Sequence, residues 1–308
     1  MSTPQLENLV YSQNFLRDQR LVRYLLDASS IGPADLVYEI GPGKGAITAA
    51  LAGRCRRLIA VEKDPRLAEG LRHRLANVAN VEIVRADFLD VPLPDGPYKL
   101  FANVPFNITA AIITKLASAP CPPEDCYLVV QREAAERFLG GPMGTLYAAL
   151  LHPYLEASVL YWFARSDFSP APGVDVVMLC LCKRGPPLVP GARQQEYRDF
   201  VTYCCTSRHS TLRGTMGALL DGRRTNQLLS PLGIGSDMPP SAVPMEHRPA
   251  LWSGFHLLAG ADAQRQVAGA ERRLRQQQSG LKKLHRTRSA RSRYADASRS
   301  ANVGFMMQ

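Results

Sequence analysis

The stretch that decides the fold is Leu36-Val37-Tyr38-Glu39-Ile40-Gly41-Pro42-Gly43-Lys44-Gly45. Five mostly apolar residues followed by a glycine-rich turn predict a buried strand that ends abruptly. A helical pattern starts directly afterwards, at Ala46. Strand, Gly-x-Gly-x-Gly turn and helix in this order are typical of α/β folds in which the turn brings its backbone N–H groups close to a ligand.

The same alternation of strand and helix patterns continues through the first two-thirds of the chain. It predicts an α/β fold with a parallel sheet. A hairpin is expected at one end of the sheet, formed by its last two strands. The predicted helices cover residues 19–28, 46–53, 65–75 and 110–119, and the predicted strands cover residues 36–40, 58–61, 81–84, a segment around 100, 127–131, 158–163 and 174–182.

The chain changes character after a proline-rich linker, Gly185-Pro186-Pro187-Leu188-Val189-Pro190. Short helical patterns without strands follow it, from 194–205 to about residue 258. We therefore predict an α/β domain at 1–185, a small helical domain at 191–260, and a basic, disordered tail at 261–308.

The basic charge of the chain is concentrated in that predicted tail. Residues 261–308 hold eleven Lys or Arg against three Asp or Glu, a net of +8, while the whole chain carries +10. Such a run is typical either of an arm that binds RNA phosphates or of a solvated tail without a specific role. Composition alone does not separate these two interpretations.

The remaining composition indicates a soluble cytoplasmic protein. The 308 residues are 46% apolar, enough for a substantial core. Seven cysteines lack a C-x-x-C pair or zinc-ligand spacing, so we expect reduced thiols and no metal site. No apolar run is long enough for a membrane span, and the N-terminus lacks the pattern of a secretory signal. No membrane partner is expected.

Acidic residues after two further strands indicate a nucleoside-containing cofactor. Glu62 follows the turn by about twenty residues, the spacing of an acid that binds ribose hydroxyls. The turn and Glu62 leave NAD(P) and S-adenosylmethionine as candidates. Asp87 can accept from an adenine amino group and Phe88 can pack on the ring, which favours S-adenosylmethionine. Glu39 further suits a positively charged sulfonium. The alternative role for Asp87 is that of a helix N-cap.

The corner Asn103-Val104-Pro105-Phe106 follows another predicted strand and suits methyl transfer to an exocyclic amine. The side-chain oxygen of Asn103 and the carbonyl of Val104 can each accept a hydrogen bond from the amine and so localise its lone pair. Pro105 restricts the conformation of Val104, and Phe106 offers a ring on which a base can stack. The alternative is an ordinary turn with a buried Phe.

Taken together, these motifs resemble those of the ribosomal RNA adenine N6-methyltransferases, in order and spacing. The resemblance is carried by Gln13-Asn14-Phe15-Leu16, the Glu39–Gly45 turn, Val61-Glu62, Ala86-Asp87, Asn103-Val104-Pro105-Phe106 and Phe168-Ser169-Pro170-Ala171-Pro172-Gly173-Val174-Asp175. It covers residues 11–185 strongly and the helical region weakly.

The resemblance implies a Rossmann-like class I methyltransferase domain at 1–185 that uses S-adenosylmethionine, and a helical rRNA-binding domain at 191–260. It also implies rRNA as the partner and a monomeric state. The implied catalytic residues are Asn103, Val104, Pro105, Phe106 and Phe168, the last being a second stacking ring for the target base. The implied cofactor-binding residues are Gln13, Asn14, Leu16, Glu39, Gly41, Gly43, Gly45, Glu62, Lys63, Asp87, Phe88 and Asn103.

Two branches of the family compete for the target. The Erm branch methylates an adenine of 23S rRNA and confers macrolide, lincosamide and streptogramin B resistance; the other branch is the housekeeping 16S rRNA dimethyladenosine transferase. Residues 131–138, followed by Gly144-Thr145-Leu146, are more similar to Erm, as is the Arg-rich extension. Two departures are Phe106 in place of the commoner Tyr, and Gly173 where Lys or Arg is frequent.

Other classes of protein remain as alternatives. A small-molecule methyltransferase would account for the glycine-rich turn, but not for the Asn103 corner or the tail. A non-enzymatic RNA-binding factor on the same fold would predict a damaged cofactor site, yet Gly41, Gly43, Glu62 and Asp87 are all present. A dehydrogenase lacks a candidate hydride-transfer residue. The sequence therefore predicts an enzyme, with 23S rRNA favoured over 16S rRNA.

Overall fold

The computed structural model describes residues 15–16, 18–104, 108–119, 121–140 and 145–279. The chain divides into two units, residues 1–271 and residues 272–308. The strands, in chain order, are β1 (Phe15–Leu16), β2 (Leu36–Ile40), β3 (Arg57–Glu62), β4 (Val81–Arg85), β5 (Lys99–Asn103), β6 (Asp125–Gln131), β7 (Leu155–Phe163), β8 (Phe168–Ser169) and β9 (Val176–Lys183).

Seven of these strands form one sheet in the order β4-β3-β2-β5-β6-β9-β7. The first five are parallel, and β9 runs antiparallel to both β6 and β7. Strands β1 and β8 pair separately. The predicted α/β class, the parallel sheet and the terminal hairpin are confirmed.

The helices surround the sheet and then form the C-terminal region. Asp18 caps the first helix by accepting the N–H of Arg20 at 2.7 Å, and Asp64 caps the third, which has Pro65 at its first position. In chain order they are α1 (Gln19–Asp27), α2 (Ala46–Ala52), α3 (Pro65–Arg74), α4 (Thr109–Ala117), α5 (Arg132–Leu139), α6 (Leu146–Leu151), α7 (Gln194–Cys205), α8 (Leu212–Gly217), α9 (Gly222–Leu229), α10 (Arg248–Leu258), α11 (Ala261–Val267) and α12 (Ala270–Ser279).

Alternate residues of the central strands enter two different cores. Leu100 of β5 packs in one cluster and its neighbour Phe101 in the other, as the two-residue period of a strand requires. Helix α4 adds Ile112 to the first core, whereas α1 adds Leu25 to the second. Complete burial of each such side chain contributes about 1.5–3 kcal/mol. These cores fix the sheet on which the site is built.

A third core lies in the helical region. It contains Phe200 of α7, Trp252 of α10 and Val267 of α11, together with Leu150 of α6. Because α6 precedes the linker, this core draws on residues from both sides of the predicted boundary. The boundary between a domain at 1–185 and one at 191–260 stays a prediction.

The predicted start of the disordered tail at residue 261 is wrong for its first part. Helices α11 and α12 occupy this segment as far as Ser279. Arg198 of α7 forms a buried ion pair with Glu271 at 2.6 Å, and the Asp199 carboxylate accepts the N–H of Glu271 at 3.0 Å. Counting charges missed these contacts because Glu271 is buried rather than solvated. Residues 280–308 lie outside the described residues.

Among the described helices, none is both long and apolar enough to cross a membrane.

Candidate active site

The candidate site lies where neighbouring parallel strands end. Strand β2 pairs with β3 on one side and with β5 on the other, and Ile40 is level with both Val61 and Ala102. The carboxyl ends of these strands therefore share one edge of the sheet, where α/β proteins bind ligands. The segments that follow β2, β3, β4 and β5 begin with Gly41, Lys63, Ala86 and Val104.

The glycine-rich turn after β2 has a backbone that side chains would strain. Gly41, Gly43 and Gly45 have φ values of 65°, 56° and 78°, in the left-handed region. A Cβ atom on Gly45 would also lie 2.6 Å from Leu71 Cδ2, and one on Gly41 would lie 3.7 Å from the Asn103 carbonyl oxygen. The turn is thus a neighbour of the end of β5.

Glu62 connects that turn to the end of β3. Its carboxylate accepts the N–H of Gly43 at 3.0 Å and the N–H of Asp64 at 2.9 Å. Although the side chain is buried, each carboxylate oxygen has a second lone pair that can accept a further hydrogen bond. Glu62 can therefore hold the turn in shape and still accept from a hydroxyl group.

Glu39 is a buried carboxyl group without a hydrogen-bond partner of normal geometry among the described residues. It is 1% exposed. Burial raises the pKa of Glu39 to about 8, the Glu62 carboxylate adds to the rise, and the adjacent Thr48 hydroxyl opposes it. An ionised carboxylate in such a place is costly without a counter-charge. Glu39 therefore keeps its proton at neutral pH, and a cation beside it would favour the ionised form.

Asp87 lies in the turn after β4 and is oriented by two donors. Its carboxylate binds Lys63 Nζ at 2.8 Å and accepts the N–H of Leu89 at 2.9 Å. The Lys63 ammonium, followed by the Leu89 N–H, lowers the pKa of Asp87. The alternative role as a helix N-cap is not supported, because a turn and not a helix follows. Phe88 is 3% exposed and lies in the core next to it, so its packing on an adenine ring stays a prediction.

Asn103 is the last residue of β5 and lies level with Val129 of β6. The next residue, Val104, donates its N–H to the Val129 carbonyl at 3.2 Å. These bonds extend the sheet pairing to the corner that was predicted to bind the target amine. Pro105 and Phe106 lie outside the described residues, as do Gln13 and Asn14.

Strands β1 and β8 bring two separate sequence motifs together. Leu16 is level with Phe168, so the end of the first motif pairs with the start of the Phe168 loop. The Phe168 ring is 2% exposed, and its centroid lies 5.1 Å from that of Phe163. In this conformation the ring packs within the core, and its role in stacking on a target base stays a prediction.

Arg132 and Arg184 carry positive charge that could attract RNA phosphates, but both are engaged in ion pairs within the protein. Arg132 binds Glu136 at 2.8 Å and approaches Asp175 at 3.6 Å. Arg184 binds Glu156 at 2.9 Å. These contacts orient both guanidinium groups, so a structural role accounts for them without RNA.

Sequence reasoning missed Lys115. Its ammonium donates to three carbonyls of the turn that carries Asp87 and Phe88. The available signal was a single lysine in an otherwise uncharged helix, TAAIITKLA. Such a lysine has to find acceptors inside the protein or extend to water.

The sequence profile described as ribosomal RNA adenine dimethylase matches residues 5–247. The chain belongs to this family. It is 32% identical over 244 residues to the rRNA adenine N-6-methyltransferase of Saccharopolyspora erythraea, an alignment that covers 79% of this chain and 62% of that protein. It is 34% identical over 242 residues to the ribosomal RNA small subunit methyltransferase A of Moorella thermoacetica, covering 73% and 83%.

Solved structures of proteins with the same fold agree with this membership. The crystal structure of the 23S rRNA methyltransferase ErmE has a TM-score of 0.71 at 30% identity, covering 79% of this chain and all of that one. A dimethyladenosine transferase from Plasmodium falciparum has a TM-score of 0.68 at 19% identity, covering 79% and 98%, and supports the fold alone. The chain spans 62–66% of the length of the first curated relatives that it matches.

Proposed function

We propose that this member of the adenine dimethylase family transfers a methyl group from S-adenosylmethionine to N6 of an adenine in 23S rRNA. The observation that carries the proposal is the contact between the two halves of the site. The turn at Gly41 is a neighbour of the Asn103 carbonyl: a Cβ atom on Gly41 would lie 3.7 Å from that oxygen, at ordinary van der Waals contact. A cofactor bound at the turn would therefore lie next to an amine bound at the corner.

The residues present fit the proposed cofactor, which supplies an electrophilic methyl group on a positively charged sulfur when it is bound. The buried Glu39 carboxyl, which has no hydrogen-bond partner of normal geometry among the described residues, would lose its proton beside the sulfonium and so supply the opposing charge. Glu62, beside Lys63, would accept from the ribose hydroxyls; Asp87 and Phe88 would hold the adenine. The methionine end would be held by Gln13, Asn14 and Leu16, and the backbone of the turn by Gly41, Gly43 and Gly45.

The acceptor half of the site makes a poor nucleophile reactive. The lone pair of the adenine amine is delocalised into the ring, and acceptors at its two hydrogens localise it. Asn103 and the Val104 carbonyl would serve as these acceptors, with Phe106 and Phe168 stacking on the base after it leaves its helix. Most of the rate enhancement would come from positioning. The proton becomes acidic once the nitrogen is alkylated, so no strong base is needed.

We favour 23S rRNA over 16S rRNA as the target. The segment at 131–146 is more similar to the Erm branch, and the 23S rRNA methyltransferase ErmE is similar over its whole length. With this target the protein would confer macrolide, lincosamide and streptogramin B resistance. Small-subunit methyltransferases of comparable identity make 16S rRNA the second candidate. We further propose a cytoplasmic monomer that makes one or two methyl transfers to each adenine.

Transfer of labelled methyl groups to protein-free rRNA tests the function. The protein is incubated with methyl-labelled S-adenosylmethionine and either 23S or 16S rRNA, and the modified base is mapped. We expect label at N6 of one adenine of 23S rRNA. Label in 16S rRNA alone would show that 16S rRNA is the target instead. Label in neither RNA would contradict the proposed enzymatic function.

Replacement of Asn103 tests the chemical half of the site. Asn103→Ala removes the side-chain acceptor while the backbone pairing of β5 with β6 remains. We expect methyl transfer to fall at least about a hundredfold, on the scale of removing one group that stabilises a transition state. Calorimetric binding of S-adenosylhomocysteine should change little. Activity close to that of the wild type would show that Asn103 does not bind the target amine.

A further inference from the structure

Lys115 connects helix α4 to the turn formed by residues 87–91. Its ammonium donates to the carbonyls of Phe88 and Leu89, both at 2.8 Å, and to the carbonyl of Val91. A lysine ammonium has three N–H donors, so all of them are used within this one turn. The same nitrogen lies 5.1 Å from the centroid of the Phe88 ring, within the range of a cation–π interaction.

The hydrogen bonds within the turn connect its own residues and do not attach it to other elements. Asp90 donates its N–H to the Asp87 carbonyl at 2.9 Å, and Val91 donates to the Phe88 carbonyl at 3.2 Å. The carbonyls of Leu89 and Val91 are bound by Lys115. Loss of the ammonium would leave these two carbonyls without its hydrogen bonds. An unpaired acceptor costs more free energy in a partly buried place than in water.

The charge of Lys115 is compatible with this location. Burial lowers the pKa of Lys115, and the carboxylates of Asp90 and Asp87 oppose that change. These two carboxylates are the charged groups that face it from the turn. The ammonium therefore has nearby negative charge as well as three carbonyl acceptors.

Two lysines from different elements hold this turn. Lys63, which follows β3, binds the Asp87 carboxylate, while Lys115 binds the backbone of the next residues from α4. Helix α4 begins at Thr109, soon after the corner at Asn103. Lys115 thus connects the turn at the proposed cofactor adenine with the helix that follows the proposed amine-binding corner.

We propose that Lys115 is a positioning residue that holds the 87–91 turn so that Asp87 and Phe88 can recognise the adenine of the cofactor. This inference rests on the proposed function, because it assumes that an adenine binds at this turn. Lys115 acts through the backbone of the turn and touches neither substrate. It should therefore affect binding of the adenosine end more strongly than the transfer step.

The test measures recognition of the adenine amino group directly. Dissociation constants are measured by calorimetry for S-adenosylhomocysteine and for S-inosylhomocysteine, in which an oxygen replaces the amino group. In the wild type, Asp87 should favour the adenosine compound. In Lys115→Met we expect the adenosine compound to bind at least about tenfold more weakly. The inosine compound should lose less, so the preference between them should shrink.

Two further variants separate positioning from general stabilisation. Lys99→Met is the matched control, because Lys99 is also largely buried and donates to the Ser30 carbonyl at 2.6 Å and to Asp35 at 3.0 Å, at the start of β5 and away from the site. It should lower stability without changing the preference. Lys115→Arg should restore binding in part, because a planar guanidinium cannot match three converging carbonyls as an ammonium does.

The steady-state constants give an independent measurement. In Lys115→Met we expect KM for S-adenosylmethionine to rise, with kcat at saturating cofactor within about threefold of the wild type. The inference would be overturned if Lys115→Met kept the wild-type preference for the adenosine compound over the inosine compound. It would also be overturned if Lys99→Met lost this preference to the same extent. If the wild type binds neither homocysteine compound, the proposed cofactor itself is wrong, and this inference falls with it.

Discussion

At the scale of single residues, the Glu39 carboxyl links stability to pH. Its pKa of about 8 in the folded protein lies above its ordinary value of 4.5. Between these values the folded chain keeps a proton that the unfolded chain has lost. The stabilising contribution is therefore complete below the lower value and is lost as the pH rises through about 8.

Glu39→Gln should remove this pH dependence, because glutamine resembles the protonated side chain and does not titrate. The free energy of unfolding of the wild type should fall relative to that of the variant by roughly 2–3 kcal/mol between pH 6 and pH 9. Urea denaturation at the two pH values measures the difference. Parallel pH profiles for the two proteins would show that Glu39 is ionised in the folded state throughout.

The same variant tests the proposed counter-charge. S-adenosylmethionine carries a sulfonium charge that S-adenosylhomocysteine lacks. In the wild type, the affinity for S-adenosylmethionine divided by that for S-adenosylhomocysteine should rise between pH 6 and pH 8.5. Glu39 loses its proton over this range, and the carboxylate attracts the sulfonium. In Glu39→Gln the ratio should stay flat. A ratio that is flat in both proteins would argue against contact between Glu39 and the sulfonium.

The positions of several site residues could be predicted from the sequence, but their surroundings could not. The ends of β2, β3 and β5 were visible as apolar runs, which placed Glu39, Glu62 and Asn103 at one edge. The burial of Glu39 beside Thr48 depends on how α2 packs on the sheet, which no local sequence pattern encodes. Likewise, the core position of the Phe168 ring depends on Phe163 of another strand.

At the scale of elements, helix α12 is held by a buried ion pair. The side chains of Arg198 and Glu271 are 6% and 8% exposed, and they share two hydrogen bonds of 2.6 and 2.9 Å. Arg198→Met removes one partner and leaves a carboxylate in a buried site. We expect a loss of about 3–5 kcal/mol in the free energy of unfolding. Chemical denaturation measures this loss.

Two matched variants show whether burial causes the loss. The double variant Arg198→Met with Glu271→Leu should recover much of it, because apolar residues can replace a buried pair. Arg265→Ala breaks the pair with Asp262, whose side chains are 71% and 94% exposed, and should cost less than about 1 kcal/mol. Equal losses for the exposed and buried pairs would contradict this account.

Sequence patterns predicted most long elements and missed short or unusual ones. Helix α6, Leu146–Leu151, is six residues of LYAALL, and an uninterrupted apolar run has no helical period to detect. Helix α12 was hidden by its charge, since AERRLRQQQS is polar on most of its surface. Helix α6 packs Leu150 into the helical core, whereas Glu271 of α12 binds Arg198 and Asp199 of α7.

At the scale of the whole molecule, the packed helices move the point at which the basic tail can be removed. Deletion from residue 261 would remove Val267 from the helical core and Glu271 from its ion pair with Arg198. A chain ending at Ser279 keeps both and lacks only residues 280–308, which hold seven Lys or Arg and one Asp. This shorter deletion removes seven cationic side chains and keeps every described residue.

We expect the 1–279 chain to unfold at the same urea concentration as the full chain and to bind rRNA more weakly. The slope of log affinity against log salt should become shallower, because fewer counterions are released from the RNA. Fluorescence anisotropy over a range of salt concentrations measures both quantities. An unchanged slope would leave the tail without a role in RNA binding.

The order of the strands has a consequence for how this protein could acquire a new target. The proposed cofactor turn and the proposed amine-binding corner extend from β2 and β5, which are adjacent strands, about 4.8 Å apart in any sheet. The proposed donor and acceptor sites are thus positioned by two adjacent strands of the sheet. Mutations in the helices after residue 191 could redirect the protein to a different RNA loop while the modified atom remained the same. In this architecture the choice of RNA can therefore change while the chemical step stays the same.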